Sequence, residues 1–177
     1  MLEGENKGKG AGMSTGTSTL AVKCKDGVVI ASDMRITMGN MIIKKDFVKV
    51  LQVADNIIIT VAGNVSDNQI LYKLMKAELK LKEIRSGRKL TVHEAANFTS
   101  GIIYEMIRNP YAPGLVHLLM AGFDDSGMHI YDLSPGGEII EVDNYEASGS
   151  GSIFMYGYLD SHYRDGMSVK EAIDLVV

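Results

Sequence analysis

The sequence predicts an α+β fold, an αββα four-layer sandwich of two stacked, mainly antiparallel sheets flanked by helices. Three observations carry that prediction. Strand-like runs fill the first third of the chain, two helical patterns come next, and a second group of strands precedes two more helices. Hairpin-type turn signals join strands within each group, which points to antiparallel pairing. At 177 residues without an internal repeat, the chain is one domain with a sizeable core.

Residues 17–24 and 28–33 flank Lys25-Asp26-Gly27, a hairpin turn. Residues 41–43 and 49–53 read as shorter strands, and Asp55-Asn56 turns the chain into 57–62, a continuous apolar run of the buried type. Ser66 or Asp67 is expected to cap the first helix. Its apolar residues Ile70, Leu71, Leu74, Met75, Leu81 and Ile84 recur at helical spacing. Thr91 and Glu94 form a capping box for the second helix, which runs to about Arg108 before Asn109-Pro110 stops it. Residues 115–123 and 128–133 pair around Asp124-Asp125-Ser126-Gly127, and 138–142 comes after the Pro135-Gly136-Gly137 turn. Ser152 starts a third helix to about Tyr163, and Ser168 with Glu171 caps a fourth that is still running at Val177.

Composition removes several classes of function. A net charge of -4 and the lack of a dense Lys/Arg run argue against nucleic-acid binding. No apolar stretch approaches the roughly 18 residues of a membrane span, so no membrane partner is expected. The first residues lack a signal-peptide core, and the single Cys24 cannot form an internal disulfide; both point to a cytoplasmic protein. His93, His117, His129 and His162 lack metal-ligand spacing, so no metal is expected. The eleven Met residues read as core filler. Residues 1–16 differ in kind: rich in Gly, Lys, Glu, Ser and Thr and without apolar periodicity, they are predicted to be flexible, either a tail or a propeptide.

The chemistry centres on Thr17, directly after Gly16 at the head of a strand. Were the Gly16-Thr17 bond cut, Thr17 would carry both a nucleophilic hydroxyl and, in its own α-amino group, a base. An α-amine titrates near 7.7–8.0, about right for a base at neutral pH. The blocks that accompany it are Asp26-Gly27-Val28-Val29-Ile30-Ala31-Ser32-Asp33-Met34-Arg35, Thr37-Met38-Gly39-Asn40, Lys49, Val61-Ala62-Gly63, Met75-Lys76-Ala77-Glu78-Leu79, and Gly149-Ser150-Gly151-Ser152 with Tyr156-Gly157-Tyr158-Leu159-Asp160 after it. In this order and spacing they resemble the catalytic β subunit of the 20S proteasome, most closely the archaeal type. The resemblance runs from Thr17 to the last residue and implies the αββα sandwich of the N-terminal nucleophile hydrolases.

The resemblance also implies roles. Thr17 is the nucleophile and, through its amine, the base. Lys49 stabilises the alkoxide, Asp33 pairs with and orients Lys49, and Arg35 supports the same site. Gly63 offers a backbone N–H as oxyanion donor, and Ser150 contacts the Thr17 nitrogen. Ile36, Phe47, Val61 and Gln69 border the pocket for the side chain before the cleaved bond, and their mostly apolar character suggests cleavage after hydrophobic residues. Asn64 and Ser66 depart from the commoner small or apolar residues of their loop. Residues 1–16 become a propeptide removed by autocatalysis, and 17–177 a catalytic domain whose C-terminal part is missing.

By the same resemblance the protein is a threonine endopeptidase that needs no cofactor and degrades unfolded polypeptides inside a closed chamber. It remains latent while the Gly16-Thr17 bond is intact. Its expected partners are other β subunits in seven-membered rings, proteasome α subunits, and a regulatory ATPase acting through the α ring. The competing readings fit less well. A non-catalytic scaffold subunit should lack Thr17, Asp33 or Lys49, and all three are present. The bacterial two-ring relative matches the 149–152 loop less closely. An unrelated amidase of the same nucleophile class leaves the multi-block match unexplained.

Overall fold

The computed structural model describes residues 16–39 and 41–177. Apart from Gly16, the segment expected to be a propeptide lies outside the described residues, as does Asn40 of the Thr37-Met38-Gly39-Asn40 block.

β1 (Thr19–Cys24) and β2 (Gly27–Ser32) form the first hairpin, and β10 (Tyr145–Ser148) adds to the other edge of β1, giving a three-stranded antiparallel sheet in the order β10-β1-β2. A separate hairpin joins β3 (Ile36–Met38) to β4 (Met41–Lys44). The second large sheet is an antiparallel meander in sequence order: β5 (Val50–Ala54), β6 (Ile57–Gly63), β7 (Val116–Asp124), β8 (Gly127–Leu133) and β9 (Ile139–Glu141). Between β6 and β7 run α1 (Val65–Ser86) and α2 (Val92–Ile107), and after β10 come α3 (Ser152–His162) and α4 (Val169–Val176).

Burial divides these elements into four layers. Along β6 and β7 successive side chains alternate between faces. Ile57, Ile59, Leu118 and Met120 turn toward α1 and α2, where they pack on Leu71, Met75, Leu79 and Ile103. Leu119 and Ala121 turn the other way and meet Ala21, Ile130 and Val142 between the two sheets. The three-stranded sheet uses its outer face, with Leu20, Val22 and Ala147, to hold Leu159 of α3 and Ala172 of α4. Both faces of β6 are therefore buried, which is why its sequence reads as an unbroken apolar run.

The structure corrects the element reading in three respects. β3 and β10, three and four residues long, carry too little pattern to be read as strands and form only because a neighbouring strand is available. α1 is capped by Asn64, not by Ser66 or Asp67: the Asn64 side-chain oxygen Oδ1 accepts from the Ser66 N–H at 3.0 Å and from the Ser66 hydroxyl at 2.7 Å. Of the apolar residues read on that helix only the row Leu71–Met75, extended by Leu79, is buried; Ile70 and Ile84 are 63% and 67% exposed. The two rows lie on different faces, and one sheet can cover only one of them. The capping boxes at Thr91/Glu94 and Ser168/Glu171 form as read.

Candidate active site

Because β1 begins at Thr19, Thr17 and Ser18 form a short lead-in at one end of the sandwich, held on both sides. On one side the Ser18 N–H donates to Asp33 Oδ1 at 2.8 Å, and the Asp33 N–H returns a bond to the Ser18 carbonyl at 2.9 Å. On the other side lies the loop after β10. The Thr17 N–H donates to Ser150 Oγ at 3.2 Å, and the Thr17 carbonyl accepts from the Gly151 N–H at 3.3 Å. That approach needs glycine: a Cβ on Gly149, whose φ is +87°, would stand 2.2 Å from the Thr17 carbonyl oxygen. The run Gly149-Ser150-Gly151 is thus a cradle for the Thr17 backbone.

Thr17 is buried, at 7% exposure, and its hydroxyl meets a cation. Lys49, itself 4% exposed and immediately before β5, points its ammonium at Thr17 Oγ1 (3.1 Å), at Asp33 Oδ1 (2.8 Å) and at the Gly16 carbonyl oxygen (3.5 Å). Asp33, just past the end of β2, also accepts from the Arg35 N–H at 2.8 Å. Burial pushes the Asp33 carboxyl up. The Lys49 hydrogen bond, the Ser18 and Arg35 N–H groups and the Lys49 charge outweigh burial and hold it below the ordinary aspartate value. Arg35 meets Asp33 with its backbone, and its side chain is exposed.

Ile36, Phe47, Val61 and Gln69 line one cavity whose wall includes Thr17, Lys49 and Gly63. Gly63 ends β6 with φ +110°, and a side chain there would collide with the Leu115 carbonyl at 2.2 Å. Three lining residues, Leu51, Val65 and Asn68, escaped the sequence reading. Leu51 was within reach of it, since the sequence reads 49–53 as one strand and residues two apart on a strand share a face. Asn68 adds a polar feature to a mostly apolar wall. It is 6% exposed, and its side-chain oxygen has no hydrogen-bond partner among the described residues. Among those residues no group of three or more His, Cys, Asp or Glu is arranged to hold a metal ion, and no helix is long and apolar enough to cross a membrane.

Two antiparallel sheets face to face, helices outside both, and a threonine–lysine–aspartate cluster at one end: this is the architecture of the N-terminal nucleophile hydrolases. Comparison with known proteins narrows the class. A family model described as proteasome subunit matches residues 13–177. The proteasome subunit beta of Methanopyrus kandleri is 39% identical over 165 residues, covering 93% of this chain and 78% of that protein. Its counterparts in Archaeoglobus fulgidus and Methanosarcina barkeri are 43% and 41% identical over 162 residues, covering 92% of this chain and 75% of each of those proteins. The chain belongs to the proteasome subunit family, as a threonine-protease subunit of the β type.

Proposed function

We propose that Thr17 is the nucleophile of this protease subunit and that the chain with an intact Gly16-Thr17 bond is its latent precursor. The observation that carries the reading is the position of Lys49, whose ammonium reaches Thr17 Oγ1, the Gly16 carbonyl oxygen and Asp33 together. Maturation uses that geometry first. Thr17 Oγ attacks the Gly16 carbonyl carbon, and Lys49 faces the oxygen on which negative charge develops. Collapse breaks the C–N bond, the nitrogen takes up the proton that Oγ gave up on attack and leaves as the Thr17 amine, and residues 1–16 remain as an ester on Oγ. Water hydrolyses the ester and frees both the propeptide and the α-amine.

Proteolysis repeats the scheme on a substrate. The free amine takes the hydroxyl proton, Oγ attacks the scissile carbonyl, and the amine then delivers that proton to the leaving nitrogen. Water activated by the same amine releases the acyl-enzyme. Ser150 Oγ, within hydrogen-bond distance of the Thr17 nitrogen, orients the amine and relays its proton. Gly63 supplies a backbone N–H to the oxyanion, and Arg35 supports Asp33 through its own N–H. Asp33 keeps Lys49 directed at the hydroxyl. The cavity of Ile36, Phe47, Val61 and Gln69 receives the side chain before the cleaved bond and favours hydrophobic residues. No cofactor takes part.

The reading extends to assembly. The subunit works with other proteasome subunits: β neighbours in seven-membered rings, α rings that close the chamber, and a regulatory ATPase that feeds unfolded polypeptides in the cytoplasm. Exposed apolar side chains on α1 (Ile70, Leu74, Leu81) and α3 (Ile153, Phe154) support burial against such neighbours. The test is Thr17→Ala in the assembled particle. It should abolish both loss of residues 1–16 and peptide cleavage, while Thr17→Ser keeps both. Processing or cleavage that persists in the alanine variant, assembled without any wild-type copy, overturns the reading.

A further inference from the structure

The reacting groups are divided between two sheets. Thr17 leads into β1 and Ser150 comes just after β10, both in the three-stranded sheet; Lys49 precedes β5 and Gly63 ends β6, both in the five-stranded one. The alignment of nucleophile, cation and oxyanion donor therefore depends on how one sheet sits on the other. The apolar layer between them, Ala21, Leu119, Ala121, Ile130 and Val142, offers no directional bond. The Lys49–Asp33 pair does cross the gap, but it belongs to the reacting cluster it would have to align.

A second polar link crosses the gap beside the cradle. Ser148, the last residue of β10, lies 2.8 Å through its hydroxyl from His117 Nδ1, and His117 Nε2 lies 2.5 Å from Asp132 Oδ1. His117 stands on β7 and Asp132 on β8, so a side chain of one sheet is tied to two strands of the other. The two ring nitrogens hold both partners at once, Nε2 facing Asp132 and Nδ1 facing the Ser148 hydroxyl. Glu146 faces the same seam and holds a hydrogen bond from the Tyr156 hydroxyl. Ser148 is 3% exposed, too deeply buried to act as a second nucleophile. Its importance lies in its neighbours: Gly149 is pressed against the Thr17 carbonyl, and Ser150 Oγ accepts from the Thr17 N–H. Any shift of Ser148 passes directly to Thr17.

We propose that His117 is a positioning residue for the protease reaction: bridging Asp132 and Ser148, it fixes the Gly149-Ser150 cradle, and with it Thr17, against the sheet that carries Lys49 and Gly63. The proposal rests on the reading of Thr17 as nucleophile.

The test compares wild type, His117→Leu, Ser148→Ala, the double variant and His117→Gln as assembled particles. Active sites are counted by titration with a peptide epoxyketone, which adds covalently to a free N-terminal threonine. Counting sites separates misplaced nucleophiles from unfolded or unassembled chains. In His117→Leu the kcat per titrated site should fall about ten- to hundredfold with KM nearly unchanged, the size expected when reacting atoms are misplaced by about an ångström. Ser148→Ala, the smaller perturbation, should fall with it, and the double variant no further than either single one, because all three cut one link. Gln, which can still donate to Asp132 and accept from Ser148, should recover most of the loss. A wild-type kcat per titrated site in His117→Leu, or losses that multiply in the double variant, overturns the proposal. If no Thr17 titrates in the wild type, the nucleophile reading fails and takes the positioning proposal with it.

Discussion

Thr17, Asp33 and Lys49 are well separated in sequence and meet within one hydrogen-bonding cluster in space, which gives each a distinct expected phenotype. On the proposed mechanism Lys49 faces the developing alkoxide, so replacing it by Met should lower kcat at least about 10²-fold. Lys49→Arg should not rescue it, because a planar fork cannot reach Thr17 Oγ1, Asp33 and the Gly16 carbonyl as a point charge does. In the mature enzyme kcat/KM should rise with pH as the Thr17 amine loses its proton, with a midpoint below the roughly 7.7–8.0 of a free amine because Lys49 is adjacent. Asp33 contributes no limb at these pH values: its carboxyl is held below the ordinary aspartate value and stays ionised throughout. A midpoint that moves with Asp33→Asn but not with Lys49→Met would contradict that assignment. At this scale the sequence showed which residues gather where residue type and position in a motif coincide: Thr17, Asp33, Lys49 and Ser150 meet in one hydrogen-bonded cluster, and Gly63 lines the cavity beside them. The Ser148–His117–Asp132 link was not legible, since three separate strands bring it together and its spacing resembles no ligand set.

The elements that carry the site are fixed at their ends. Asn64 caps α1 directly after Gly63, so Asn64→Ala should cost about 1 kcal/mol by denaturant unfolding and loosen the Gly63 turn. Asn68, one turn along, buries a carbonyl oxygen that has no partner among the described residues, and Asn68→Leu should leave stability unchanged or raise it. At α2, Glu94 is held down to about 2, first by its hydrogen bond from Arg88 and then by the Thr91 N–H. A depressed carboxyl stabilises the fold above its ordinary value of 4.5, and that contribution is lost as pH falls from there toward 2. Thermal unfolding of Glu94→Gln should therefore begin below wild type at neutral pH and converge with it in acid. An undiminished gap at pH 2 would place the effect elsewhere. Helix starts were readable because capping chemistry is local, as Thr91/Glu94 and Ser168/Glu171 illustrate. The Asn64 cap was hidden because Ser66 and Asp67 are equally good capping residues, and the choice among them is made by where β6 ends.

For the whole molecule, the decisive relation is between the two sheets. The layer that joins them contains Ala21 and Ala121, both fully buried. Ala121→Leu should cost about 1–3 kcal/mol through overpacking, and it should lower kcat as well, because spreading the sheets separates Thr17 from Lys49. A loss of stability with kcat per active site intact would show that the site tolerates inter-sheet movement. The layered architecture could be read from the order of strand and helix groups, whereas the burial of one apolar row of α1 and the exposure of the other could not, since helical period alone does not say which face meets a sheet. The most direct test of Thr17 as a nucleophile unmasked by cleavage is the intact mass of the purified chain before and after assembly with its partner subunits. A chain that loses residues 1–16 and then begins at Thr17, with the loss abolished by Thr17→Ala, is the predicted result. An assembled, proteolytically active particle whose chains still carry the Gly16-Thr17 bond would contradict it.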